Sequence, residues 1–130
     1  MSDFKRHSSG STFEAEYGYA RAVADQDYIH VSGTTGYNYA DMTIDPDPAT
    51  QAEQCLTNIQ EALAVFNAAL SDVVRVHYLV RDPDDFELCA SVLKRRFGAH
   101  PPAATMMVVG LIDPAMKIEI EVTARRPAHA

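Results

Sequence analysis

Positive charge is scarce in this chain: 11 Lys and Arg stand against 18 Asp and Glu over 130 residues, a formal charge of -7. Nucleic-acid backbones and anionic membranes both reward clustered Lys and Arg, so neither is expected as a partner. No basic stripe offsets the balance. Cysteine is limited to Cys55 and Cys89, each inside an expected helix, and free buried thiols in a reducing compartment are the expectation rather than a disulfide. No apolar run approaches the length of a spanning helix, and the polar start Met1–Gly10 lacks the hydrophobic core of a signal peptide, which leaves the cytoplasm as the expected location. His7, His30, His77, His100 and His129 are scattered without the close spacing of a metal site. A Gly-rich phosphate loop and a nucleophile-elbow motif are both missing.

What is present fits one domain over residues 1–130, long enough to bury a core without disulfides or metal. Residues 1–11 read as a flexible polar lead, and Thr12–Glu16 as a short strand. Tyr19–Val23 and Tyr28–Ser32 resemble two strands joined through Ala24–Asp27 as a hairpin. Tyr37–Pro48, rich in Asp, Asn and Pro, reads as an exposed mobile loop. From Thr50 to Leu70, the residues Ala52, Leu56, Ile59, Leu63, Phe66 and Leu70 step by four and three, which predicts an amphipathic helix. Val73–Val80 returns to period two.

Asp82-Pro83 supplies a cap and first turn for a second helix, buried through Phe86, Cys89, Leu93 and Phe97 and ended by Gly98. Thr105–Val109 is apolar on both faces. Lys117–Ala124 alternates, so that Glu119 and Glu121 share one side of a strand. The order strand, strand, helix, strand, helix, strand, strand predicts an α+β fold: a mixed sheet with two helices on one face. Arg75, His77, Leu79, Glu119 and Glu121 fall on the other face beside an apolar row. A second subunit is expected to cover it, with polar clefts where subunits meet.

A set of ordered motifs then comes into view: Tyr17–Val23, Val31-Ser32-Gly33, Asn58-Ile59, Val73–Val76, Asp82–Phe86, Phe97-Gly98, His100–Ala103 and Ile118–Glu121. In order and spacing they resemble the reactive intermediate deaminase (Rid, YjgF/UK114-type) family over residues 17 to 124. The resemblance implies a chorismate-mutase-like fold, a homotrimer and small-molecule pockets between subunits. It also implies hydrolysis of imines and enamines to ketones and ammonia, with no metal or organic cofactor. Residue by residue, it assigns Glu119 as the catalytic carboxylate and Tyr19, Ser32 and Gly33 as pocket residues. The position of the family's carboxylate-clamping arginine holds Ala104, followed by Thr105 and Met106. Met106 stands in place of a cysteine, and Ala90 in place of a pocket asparagine.

A guanidinium clamp supplies a charge-assisted hydrogen bond of about 1.5–3 kcal/mol. Its loss predicts a drop of roughly tenfold to more than a hundredfold for a substrate that depends on it. Arg21, on the expected strand face of Tyr19, is the first candidate to replace it and Arg75 the second. The sequence therefore supports a hydrolase for a substrate without a clamped α-carboxylate. A non-catalytic trimer that binds a metabolite or partner is the alternative, and an endoribonuclease, disfavoured by the acidic balance, is the third reading.

Overall fold

The computed structural model describes residues 4–127. Met1–Asp3 of the polar lead and His129 lie outside them. The elements in chain order are β1 (Lys5–His7), α1 (Thr12–Tyr17), β2 (Ala22–Ala24), β3 (Tyr28–Thr35), β4 (Tyr37–Asn38), β5 (Thr43–Ile44) and α2 (Pro48–Ala64). After a 3-10 turn (Leu70–Asp72) come β6 (Val73–Val80), α3 (Pro83–Leu88), α4 (Ala90–Phe97), β7 (Ala103–Val108) and β8 (Ile118–Arg125). Six strands form one sheet in the order β1-β2-β3-β8-β6-β7. The last strand in sequence is thus inserted between β3 and β6, antiparallel to both, while β6 and β7 run parallel across the α3–α4 connection. No helix among the described residues is long and apolar enough to cross a membrane.

The two period-two stretches become β6 and β8, and their apolar rows face the same side. Val76, Tyr78, Val80, Ile118, Ile120, Val122 and Ala124 are buried against Leu56, Ile59 and Leu63 of α2 and Leu93 and Phe97 of α4. Full burial of each large aliphatic side chain contributes about 1.5–3 kcal/mol, so this layer dominates the stability of the fold. Asp47 caps α2 by accepting from Thr50 N, with Pro48 in the first turn. The helix ends at Ala64, short of the expected Leu70, because Asn67 takes a positive φ and redirects the chain. The second helix is interrupted at Cys89, between α3 and α4.

Three further expectations need correction. Thr12–Glu16 is helical: Ser11 accepts from Phe13 N at 3.2 Å as N-cap, and Gly18 ends the helix at φ 72°. Ser11 followed by Glu14 is a helix-start signature that outweighs the apparent alternation. The lead is not wholly irregular, since Lys5–His7 pair with Ala22–Ala24 as an edge strand. The Tyr37–Pro48 segment carries the β4–β5 ribbon and buries Tyr37 and Tyr39 with Met116 in a second small core. Gln51, fully buried on α2, ties this segment down: its Nε2 donates to Asp45 O and Ala115 O, each at 2.8 Å, and its Oε1 accepts from Lys117 N at 2.8 Å.

Candidate active site

On the sheet face opposite the helices, the end of β3 passes beside the start of β8, with Thr35 in register with Glu119. A register shift between Val31 and Thr34 bends β3 at Ser32-Gly33. Here the absence of a side chain is structural: a Cβ on Gly33 would collide with Glu119 Oε2 and stand 2.9 Å from its Cδ. Gly33 is what lets the Glu119 carboxylate lie over β3. This carboxylate makes no hydrogen bond or ion pair among the described residues. Burial, reinforced by the charge of Glu121 and opposed by Arg21, raises its proton affinity above that of an ordinary glutamate.

Glu119 opens into a cavity of about 500 Å³, a size suited to a small organic ligand. Ser32, Gly33 and Thr35 of β3 form its floor, and Phe13 and Tyr17 of α1, Tyr19, Tyr39, Ile112, Met116 and Glu121 complete its walls. Two loops hold these walls in place. Tyr37 Oη donates to Asp113 Oδ2 at 2.7 Å, which pushes the phenol up to about 12. Arg81 donates to the carbonyls of Leu111, Asp113 and Met116 at 2.6–3.0 Å, fixing the turn that carries Ile112 and Met116. Ser32 Oγ donates to Ala20 O at 2.7 Å, so its lone pairs alone remain for a ligand.

The structure thus gathers Tyr19, Ser32, Gly33 and Glu119 around one cavity, and Tyr19 is 38% exposed to it and to solvent. Arg21 is elsewhere. At 1% exposure it lies beneath the floor, where its Nη1 donates to Gly33 O at 2.7 Å and Thr34 Oγ1 at 2.9 Å. Its guanidinium carbon stacks 4.7 Å from the Tyr39 ring centre, and its Nε sits 3.5 Å from Glu14 Oε2. Burial works against ionisation of Glu14, but hydrogen bonds from Ser9 and Ser8 and the charge of Arg21 prevail and lower its pKa. Arg21 belongs to no strand, so the expected shared strand face with Tyr19 does not exist.

Arg75 lies on β6 with His77, in an adjoining hollow that shares Ser32 and Glu121 with the Glu119 cavity but does not include Glu119. There His77 Nδ1 meets Glu121 Oε1 at 2.7 Å. Ala104, Thr105 and Met106 are on the edge strand β7, with β6 between them and β8, and do not line the Glu119 cavity of their own chain. Across two strand spacings Thr105 is about 10 Å from the Glu121 backbone. Among the described residues no three His, Cys, Asp or Glu side chains converge as a metal site.

Phe13, Thr35, Tyr39, Ile112 and Met116 escaped the sequence reading, and Tyr17 entered it only as part of a motif, without a role in the site. The aromatic pair Tyr37 and Tyr39 in an otherwise polar loop was the available signal, since such residues seek burial.

Known proteins share this architecture. A structure from Mycobacterium tuberculosis, a member of the YjgF/YER057c/UK114 family, superposes with a TM-score of 0.86 at 35% identity, covering 95% of this chain and 99% of that one. The 2-iminobutanoate/2-iminopropanoate deaminase of Bos taurus is 32% identical over 107 residues, 82% of this chain and 78% of that protein. An uncharacterized protein of Streptomyces coelicolor is 32% identical over 125 residues, 95% of this chain and 93% of its own length. The profile of the family described as Endoribonuclease L-PSP matches residues 9–126. With that span matched and the fold shared, the chain belongs to this family, the YjgF/UK114 or Rid family.

Proposed function

We propose that this protein is a small-molecule hydrolase of the imine and enamine deaminase type, working in clefts of a homotrimer on a substrate whose α-carboxylate is not clamped. The observation that carries the reading is Glu119: a carboxylate without hydrogen bonds among the described residues, raised in proton affinity by burial, held against Gly33 in the lining of a cavity of about 500 Å³. Relatives named as 2-iminobutanoate/2-iminopropanoate deaminases support the class of reaction. Water adds to the carbon of the protonated imine, the iminium, as Glu119 takes one of its protons, and a neutral carbinolamine results. Glu119 then returns that proton to the nitrogen, the C–N bond breaks, and the remaining hydroxyl proton passes to the departing ammonia, so that ketone and ammonium leave. An enamine first takes a proton on carbon to reach the same iminium.

The trimer in this proposal draws support from β7, an edge strand with one sheet neighbour, on which Met106 is 55% and Val108 59% exposed. Docked against the next copy, this strand would present Ala104, Thr105 and Met106 to its Glu119 cavity. Hydrolysis of a panel of neutral imines by wild type and Glu119→Gln, with sedimentation of both, tests the reading. Loss of general acid–base chemistry is worth roughly 10²–10⁴-fold, so the variant should fall by at least a hundredfold while remaining trimeric. No turnover of any imine by wild type would leave a trimeric binding protein. The family's description as an endoribonuclease supports RNA cleavage, but a net charge of -7 and two carboxylates at the cavity repel a phosphodiester.

A further inference from the structure

The polar groups around the Glu119 cavity are biased toward accepting hydrogen bonds. Ser32 Oγ has already given its proton to Ala20 O and can only accept. Glu119, when ionised, is acceptor alone, and Glu121 keeps one oxygen beyond the one that meets His77. Tyr39 Oη receives Thr35 N–H at 2.9 Å and lies 3.2 Å from Thr35 Oγ1, so these two hydroxyls satisfy each other. None of the 11 described residues that line the cavity is Lys or Arg. The Arg21 guanidinium is buried beneath the floor, where Nη1 is given to Gly33 O and Thr34 Oγ1 and Nε faces Glu14 at 3.5 Å, while Nε and Nη2 make no hydrogen bond among the described residues. It borders a different cavity, behind Tyr39, lined by His7, Ser9 and Asn58 among others.

Around these acceptors stand four aromatic rings, Phe13, Tyr17, Tyr19 and Tyr39. The Arg21 guanidinium already takes one face of Tyr39 at 4.7 Å and approaches Tyr19 at 5.7 Å, which leaves Phe13, Tyr17 and the outer part of Tyr19 for a ligand. Aromatic faces carry partial negative charge and attract organic cations, most strongly where water is excluded. Carboxylates, a hydroxyl limited to accepting and aromatic faces, with no opposing cation in the lining, all favour the same ligand. An anionic ligand would meet like charge at Glu119 and find the neutral hydroxyls of Tyr17 and Tyr19, rather than a cation, to offset its desolvation.

We propose that the cavity selects an organic cation bearing N–H donors, of the iminium or amidinium type, on an apolar body. The N–H groups bond to Glu119 and Ser32, and the body lies among Tyr17, Tyr19 and Phe13. This assignment rests on the cavity being the working site proposed above, but it concerns recognition and does not require turnover. In the trimer, Ala104, Thr105 and Met106 of the neighbouring copy would add no charge, which preserves the preference.

The test uses three probes of nearly one shape: benzamidinium, benzamide and benzoate. Calorimetric titration of the full-length protein should give benzamidinium an affinity at least thirtyfold above both others, with Glu119→Gln lowering it tenfold or more and leaving benzamide within threefold. Circular dichroism and sedimentation check that the variant is folded and assembled; if it is not, the wild-type ratio of cation to neutral probe decides alone. Benzoate binding as tightly as benzamidinium overturns the proposal. So does a folded Glu119→Gln that binds the cation undiminished, or a wild type that binds none of the three at millimolar concentration. Benzamidinium binding without turnover of any imine would retire the hydrolase reading alone, whereas rapid 2-iminopropionate turnover that benzamidinium fails to inhibit would retire the cation assignment alone.

Discussion

Adding one methyl group at Gly33 should silence the site without unfolding the protein. The new Cβ would collide with Glu119 Oε2, stand 2.9 Å from Cδ and 3.3 Å from Cγ, all three atoms belonging to the far part of a rotatable side chain. Glu119 can therefore yield by turning its carboxylate away, by an ångström or more, rather than by pushing the strands apart. Gly33 does not have a positive φ, so alanine is not strained there. The restricted unfolded chain would contribute about 0.4–1 kcal/mol of stability, offset by the side-chain adjustment. A carboxylate misplaced by about 1 Å costs on the order of a hundredfold in rate. Gly33→Ala should then melt within a few degrees of wild type yet hydrolyse imines about a hundredfold more slowly. The double variant Gly33→Ala with Glu119→Gln should be no slower than Glu119→Gln alone, because both changes remove one interaction. Independent, multiplicative losses in that cycle would show that Gly33 acts through something other than Glu119 and would refute the reasoning.

The acid limb of kcat/KM for a neutral imine should lie above the ordinary glutamate range, because burial and Glu121 favour protonated Glu119 while the reaction uses the ionised form. Glu121→Gln removes the neighbouring charge and should move that limb to lower pH, as a pH profile of both proteins would show; a shift upward contradicts the assignment. Gln51→Ala strands Lys117 N–H and the carbonyls of Asp45 and Ala115, so urea unfolding should show a loss of roughly 3 kcal/mol, and a loss below about 1 would mean the loops hold without it. Cys55 and Cys89 are fully buried, with the Cys89 thiol pushed up to about 11 chiefly by burial, so a thiol reagent should react with neither until denaturant is added. Rapid labelling of the native protein would place one of them at the surface.

Long periodic segments were legible because burial alone determines them. The stripe of α2 and the alternation of β6 and β8 each encode which side meets the core, and the structure places all three together. Strand order was not encoded in this way. β8 sits between β3 and β6 through backbone pairing, which is nearly indifferent to sequence. Short elements failed for the opposite reason: in Thr12–Tyr17 a single cap at Ser11 outweighs six residues of weak pattern. The Tyr37–Pro48 segment looked mobile by composition, yet its order comes from Gln51, Asp113 and Met116, partners distant in sequence.

The misread helix and the misplaced arginine are one error with one physical cause. Taken as a strand, Thr12–Glu16 would send Glu14 outward and leave Arg21 without a counter-charge, free to serve as a replacement clamp. Folded as α1, it turns Glu14 inward, where Ser9 and Ser8 keep the carboxylate ionised beside Arg21. A guanidinium buried with that partner, two acceptors and the Tyr39 face is poorly placed to leave for a substrate, since breaking a buried pair costs about 3–5 kcal/mol. Removing the positive charge from the cavity lining and raising the proton affinity of Glu119 are therefore linked. With Arg21 held under the floor, burial and Glu121 outweigh its pull on Glu119, and the cavity keeps a carboxylate that can both take and return a proton.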